Sequence, residues 1–248
     1  KHLCAKLQSP NQYHCYPIST RVFSCAFYPL HILVADVLFK HVFAHLWRHF
    51  VSFRMDEFHS IRNYISRFLT ITEQEWQAHQ AMLTRRFLKK GEFILRGGEV
   101  CNHVTFINKG YTRVYNLIRE EELTINFAFE GNYVTDYSSF VSRQPSTDFI
   151  VAMEDVEILQ MSYADMHAVF DKYPVWQKFG RLMAEYILLF VVDRNKSLLF
   201  LSPEERYLKL LKDRPKVIAQ VPLKYIASYL GVTPEALSRI RKRLSVGV

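Results

Sequence analysis

Ala227 and Gly231 stand four residues apart in Val221-Pro-Leu-Lys-Tyr-Ile-Ala-Ser-Tyr-Leu-Gly-Val-Thr-Pro-Glu-Ala-Leu-Ser-Arg-Ile-Arg-Lys-Arg-Leu244, and no other feature constrains the fold as much. A small side chain lets two helices cross closely, and a glycine supplies the positive φ of a tight turn between them. Ile226, Leu230, Val232, Leu237 and Ile240 then fall on the faces that meet in the angle. Thr233 is placed to cap the second helix, and Pro234 occupies its first turn, where a missing N–H costs nothing. The spacing predicts a helix-turn-helix whose second helix runs from about Pro234 to Leu244 and ends in a basic cluster. Double-stranded DNA is the first partner such a pattern implies.

Within that second helix, Glu235, Ser238 and Arg239 project from the N-terminal part and are the candidates for base edges. Arginine pairs bidentately with guanine, and glutamate accepts from cytosine N4. Thr233, Arg241, Lys242 and Arg243 are placed to bind phosphates, which fixes register without reading sequence. The charge distribution agrees. The chain carries a formal +8, and residues 201–248 hold ten Lys and Arg against four acids, while residues 55–200 are slightly acidic. A basic module on a near-neutral body suits phosphate neutralisation by one part of the molecule. A solvated helical hairpin is the bland alternative, and the joint spacing argues against it.

Apolar content of 49% with 23% charged residues excludes a disordered chain. Residues 1–54 look foreign to the rest: they hold six of the ten histidines, three of the four cysteines and one acid, with no sustained apolar period. Met55 then opens an amphipathic pattern, so residues 1–54 read either as upstream translated sequence that is not native, with Met55 the natural start, or as a real but weakly ordered extension. Cys4, Cys15, Cys25 and Cys101 form no Cys-x-x-Cys pair, which leaves a zinc ribbon unsupported and suits a reducing cytoplasm. His41 and His45 lie one helical turn apart without a third ligand, so no metal or other cofactor is expected. Val22 to Phe39 is broken by Pro29, His31 and Asp36, and is not expected to span a membrane.

From about Thr84 the period changes to short apolar runs punctuated by glycine. Strands are predicted over Arg85–Lys89, Glu92–Leu95, His103–Asn108, Tyr111–Ile118, Leu123–Phe129, Asp148–Met153 and Val156–Met161. Their close spacing leaves no room for crossover helices and implies an antiparallel roll of seven or eight strands. Thr72-x-x-Glu75 opens a helix before the roll, and Ser162-Tyr-Ala-Asp165 opens one after it. Val175 to Phe200 carries a long apolar stripe through Phe179, Leu182, Met183, Tyr186, Ile187, Phe190 and Val191, which suits a two-fold dimer helix, the alternative being a helix that packs only on its own domain. Ser202-Pro-Glu-Glu205 caps a fresh helix beyond it. The expected fold class is α+β: a jelly-roll sensor over residues 55–173, a dimerisation helix over 174–200, and a helix-turn-helix over 201–248.

In this order, the chain resembles the Crp/Fnr family of bacterial transcription regulators. Lys90-Gly-Glu-Phe-Ile-Leu-Arg-Gly-Gly-Glu99 and Val104-Thr-Phe-Ile-Asn-Lys-Gly-Tyr-Thr-Arg-Val-Tyr115 look like the opening strands of that family's cyclic-nucleotide-binding roll, and Pro222-Leu-Lys-Tyr-Ile-Ala-Ser-Tyr-Leu-Gly231 is similar to members from Bacteroidetes-type bacteria. The resemblance implies a homodimeric regulator that binds DNA, works with RNA polymerase and answers a small-molecule effector. Two departures qualify it. Cyclic-AMP-binding members hold the ribose and cyclic phosphate with a Gly-Glu pair and a downstream Arg-Ser or Arg-Thr. Here Thr135 and Asp136 stand at the first position, and Ser146 and Thr147 at the second. Without an arginine fork the phosphate charge lacks a partner, so cyclic AMP is not expected to bind in the usual way. The effector pocket is placed near Tyr133, Thr135, Asp136, Tyr137, Ser146 and Thr147, residues that would equally serve to close the roll. The second departure is the short end, Ser245-Val-Gly-Val248, which leaves little or no β-hairpin wing.

Oxygen-sensing relatives hold an iron–sulfur cluster on four cysteines, but the spacing of eleven and ten residues between Cys4, Cys15 and Cys25 is too wide for one. The competing classes are a metal-dependent, cupin-like enzyme on the same roll and a protein-interaction module. The strand region offers only His103 as a ligand, and no nucleophile elbow, Walker loop or dinucleotide fingerprint occurs, so no enzyme is expected.

Overall fold

A computed structural model describes residues 57–246. The segment 1–54 lies outside the described residues, and so do Cys4, Cys15, Cys25, His41, His45 and the last two residues of the short end. Helix α1 (His59–Ser66) buries Ile61, Tyr64 and Ile65. Helix α2 (Glu73–Gln80) starts from the expected capping box, in which Glu75 N donates to Thr72 Oγ1 at 3.3 Å and Thr72 N to Glu75 Oε2 at 2.8 Å.

Eight strands follow: β1 (Thr84–Leu88), β2 (Phe93–Leu95), β3 (His103–Lys109), β4 (Tyr111–Ile118), β5 (Glu121–Phe129), β6 (Tyr133–Val134), β7 (Asp148–Ala152) and β8 (Val156–Ser162), with helix α3 (Tyr137–Ser142) between β6 and β7. They form two antiparallel four-stranded sheets ordered β1-β8-β3-β6 and β2-β7-β4-β5. Such non-sequential neighbours in two facing sheets make a jelly roll, as the turn-rich spacing implied. The strands form because alternate side chains serve different faces. Val114 points into the roll among Leu88, Ile107, Phe140, Ile150 and Ile158, while Tyr111 points out. In β5, Ile125 is an extra residue, since Val114 pairs Asn126 and Tyr115 pairs Thr124. This bulge lets Thr124 and Phe127, three residues apart, share the outer face.

Neither sheet leaves its outer face bare. Phe106 and Leu159 of the first pack against Ile61, Ile65, Trp76, Trp176 and Phe179, joining α1 and α2 to α5 (Pro174–Phe200). Tyr111, Phe127 and Phe129 of the second pack against the C-terminal helices α6 (Pro203–Asp213), α7 (Pro215–Gln220), α8 (Leu223–Leu230) and α9 (Pro234–Val246). Between them, α4 (Tyr163–Lys172) is capped by Ser162, whose Oγ accepts from Asp165 N at 3.1 Å. Gly180 sits where α5 meets α4: a Cβ there would come within 2.6 Å of the Phe170 ring, so the glycine makes room for that ring against the α5 backbone. Three elements, β6, α3 and α7, carry no periodic signal because each spans six residues or fewer.

Candidate functional site

The C-terminal pair is built by local rules. Helix α8 ends at Gly231, which adopts φ 67° and ψ 38°, the left-handed conformation that glycine enters without a Cβ penalty. Val232 N then closes the turn onto Ala227 O at 3.0 Å. Ile226, Ala227, Leu230, Leu237 and Ile240 are buried between the helices and against Tyr207, Leu210 and Val217, with Val232 packed at the margin. Thr233 caps α9, its Oγ1 accepting from Ala236 N at 3.2 Å. The free carbonyls at the end of α8 are met by cations: Tyr229 O accepts from Arg194 of α5, and Leu230 O from Arg206 Nε at 3.0 Å.

This packing leaves one face of α9 open. Thr233, Glu235, Ser238, Arg239, Arg241, Lys242 and Arg243 are all exposed. The Glu235 carboxyl is held below its ordinary range by a hydrogen bond with its own backbone N–H, then by the Thr233 hydroxyl and the charge of Arg239, so it acts at neutral pH as an acceptor. A groove of about 790 Å³ runs between α9 and the start of α6, and Arg243 crosses it to Glu204 at 2.9 Å. Chemically the face offers three guanidinium groups, an ammonium, two hydroxyls and one carboxylate to a partner of mostly negative charge.

The loop from Thr135 to Asp148 is fixed quite differently. Asp136 caps α3, accepting from Ser139 N at 3.1 Å, and its other oxygen accepts from Ser146 Oγ at 2.6 Å. Thr135 Oγ1 donates to His103 O at 3.2 Å and lies 3.3 Å from Cys101 Sγ. Ser146 is buried, with its backbone paired to Gly98 and Glu99, whereas Tyr137 and Thr147 are exposed. Thus Thr135, Asp136, Tyr137, Ser146 and Thr147 gather on one short loop. Tyr133 precedes that loop: Val134 takes the inward position of β6, and the Tyr133 ring turns outward against Tyr64, Phe106 and Phe179 with its hydroxyl sealed from solvent and unpartnered, yet it borders the same cavity as Thr135, Asp136 and Tyr137.

Two residues missed by the sequence reading complete the loop. Asn116 of β4 donates to Thr147 O and Asp148 Oδ1, each at 3.1 Å. Its position two residues beyond the inward-facing Val114 was the available signal. Burial, and then the nearby Asp136, push the Asp148 carboxyl above its usual range. Arg143, the one cation of the loop, adopts the left-handed conformation and turns away, donating to Cys101 O and Phe140 O at 3.0 Å and to Asn102, and stacking 4.2 Å over Tyr163. The loop therefore gathers carboxylates and hydroxyls bonded to one another, with its one guanidinium turned away.

A cavity of about 1020 Å³ is bordered by Thr135, Asp136, Tyr137 and Asp148 on the roll side and by α5 on the other. It also reaches His79, which is buried and stacks 4.1 Å from Trp176, with both ring nitrogens unpartnered. Burial lowers the His79 pKa to about 3. Among the described residues no group of three or more His, Cys, Asp or Glu is placed to hold a metal ion, and no helix is long and apolar enough to cross a membrane.

Comparison with known proteins adds to this geometry. Residues 85–173 match the family described as the cyclic nucleotide-binding domain. A Pycsar effector protein, XpPycTIR of Xanthomonas perforans, is 25% identical over 176 residues, which cover 66% of this chain and 57% of that protein. The chain thus spans little more than half the length of this curated relative. FixK2 of Bradyrhizobium japonicum superposes with a TM-score of 0.59 at 18% identity, over 66% of this chain and 85% of FixK2. A regulator of the Crp/Fnr family from Eubacterium rectale gives 0.57 at 16%, over 71% and 85%. The c-di-GMP-responsive regulator CLP of Xanthomonas campestris gives 0.55 at 16%, over 71% and 93%. Residues 85–173 are thus similar to cyclic nucleotide-binding domains, and the fold that carries them is shared with solved regulators of the Crp/Fnr type.

Proposed function

We propose that the protein is a DNA-binding transcription regulator of the Crp/Fnr type, with α8 and α9 as its helix-turn-helix. The observation that carries this reading is the open face of α9, where all seven residues named from sequence are exposed beside a buried apolar angle. In such modules the N-terminal part of the second helix meets base edges in the major groove. Glu235, Ser238 and Arg239 stand there; Thr233, Arg241, Lys242 and Arg243 serve the backbone, Arg243 after leaving Glu204. Binding to duplexes selected from a random pool, followed by fluorescence anisotropy, tests the reading. Arg239→Ala should cost about 1–3 kcal/mol and relax preference at one base pair, while Lys242→Ala should weaken all sequences alike. Equal loss on random and selected DNA in both variants would refute these roles.

Residues 174–200 pair two copies in this proposal. Leu188, Leu189, Leu199 and Phe200 of α5 are 61%, 68%, 76% and 76% exposed, an apolar face that a second copy would cover. A two-fold dimer also suits paired half-sites about 34 Å apart. Residues 55–173 act as the sensor for a small-molecule effector, and RNA polymerase is the further partner of an activator of this kind. The loop chemistry supports an effector other than cyclic AMP. Calorimetry with cyclic AMP should give no binding heat at micromolar concentration, and a micromolar Kd would overturn this part.

A further inference from the structure

The structure assigns a restraining role to the outer face of the β2-β7-β4-β5 sheet, which clasps α8 and holds the helix-turn-helix back from the duplex; this rests on the DNA-binding reading above. Strand β5 is the edge of its sheet, so its outward N–H and C=O groups need partners. Ser228 supplies both with one hydroxyl, accepting from Thr124 N at 2.8 Å and donating to Glu122 O at 3.1 Å. One turn earlier on α8, the Tyr225 ring lies 3.9 Å from the Arg113 guanidinium, which is only 2% exposed. A buried cation is tolerated only with partners. Arg113 finds them in the Glu122 carboxylate, in Thr124 Oγ1 at 2.9 Å and in the rings of Tyr115 and Tyr225.

Further contacts lie on either side. Arg214 donates to Asn126 Oδ1 at 2.9 Å and to Phe127 O, Tyr111 OH donates to Gln220 O at 3.3 Å, and Lys216 pairs with Glu130 at 2.8 Å. The β4–β5 turn is itself unusual, since Arg119 and Glu120 both take positive φ, 52° and 69°. A two-residue hairpin turn of this type requires positive φ at both positions, and here Arg119 and Glu120 supply it without a glycine. The turn sets the exposed Glu120 and Glu121 beside the segment that receives Ser228.

These contacts fix the sign of the effect. The first helix of a helix-turn-helix crosses the phosphate backbone. Here the Tyr225 and Ser228 side of that helix is covered by β5, and the neighbouring Glu120 and Glu121 would repel phosphates. The recognition face of α9 stays open, so the restraint acts through the first helix and through charge. It also has a route to the sensor. Strand β4 carries Arg113 on its outer face and Asn116 at the loop of Asp148, so a ligand that draws the loop away from Asn116 pulls on the strand that holds α8. Such a ligand must favour the released arrangement over the clasped one.

The test uses the full chain with Ser228→Ala and, on the sensor side, Asn126→Ala. Hydrogen exchange at the Thr124 amide reads the clasp, and anisotropy with a duplex selected by the unaltered protein reads DNA binding. Both variants should speed Thr124 exchange and tighten DNA binding by about fivefold or more. Glu120→Gln with Glu121→Gln should also tighten binding, without changing the exchange. Unchanged Thr124 exchange in both variants removes the clasp; faster exchange with equal or weaker DNA affinity removes its restraining role. Failure of every form, including the unaltered protein, to bind any duplex sinks the DNA-binding reading and the restraint with it, whereas the first two results leave that reading standing.

Discussion

The C-terminal helix pair and the loop between β6 and β7 each contain a capped helix and a residue in the left-handed conformation, yet they are held by opposite means. In the pair, the Thr233 side chain caps the Ala236 amide, Gly231 ends α8, and the Val232 amide returns to Ala227, each contact spanning five residues or fewer. In the loop, Cys101 N donates to Ser139 Oγ, Ser146 is bracketed by Gly98 and Glu99, and Asn116 reaches Thr147 and Asp148. The pair carries its own instructions, whereas the loop borrows its shape from β4 and the β2–β3 connection, about thirty to fifty residues away. The lesson is that a helix pair of this kind is specified by its own short segment, while the loop takes a shape specific to its roll.

Three measurements bear on that contrast. The largest effect is expected from Leu237→Ala, which empties a fully buried position between α8 and α9. Urea denaturation should register a loss of about 2–5 kcal/mol. A loss below about 1 kcal/mol would show that the pair is held by its contacts with β5 more than by its own angle.

His79 extends the comparison to a contact of the borrowed kind, since it joins α2 to Trp176 of α5. Its folded pKa of about 3 lies below the ordinary 6.5, so the unfolded chain binds the extra proton between those values. Stability is therefore full above about pH 6.5 and falls by about 1.4 kcal/mol per unit as the pH drops toward 3. His79→Phe should remove one proton from that dependence in denaturation curves at pH 4 to 7. An unchanged slope would mean that the ring is not buried as neutral imidazole. The smallest effect is expected from Thr233→Ala, about 1 kcal/mol, the ordinary worth of an N-cap. A cost of several kcal/mol would show that the cap supports more than its own helix.

What was legible in the sequence follows the same division. The boxes at Thr72 and Ser202, the Ser162 cap and the long helix announce themselves through neighbours three or four residues off, and the strands through short apolar runs closed by glycine, so the α+β jelly roll follows from local pattern. Strand β6 has two residues, too few to show alternation, and so the outward turn of Tyr133 was hidden. Asn116 stood at an inward position of a predicted strand, but its partner loop had no predicted shape. Arg113 and Ser228 gave no signal at all: the serine binds backbone groups more than a hundred residues away, and the arginine reads as an ordinary solvated charge until α8 is laid over it.

The seat of Gly180 on Phe170 has a mechanical consequence. With the Phe170 ring of α4 seated directly on the α5 backbone at Gly180, the two helices are coupled there, and a shift of one presses on the other. A shift at the end of β8, where α4 begins, would then reach the far tip of α5, about 40 Å away, as a change of tilt amplified by lever length.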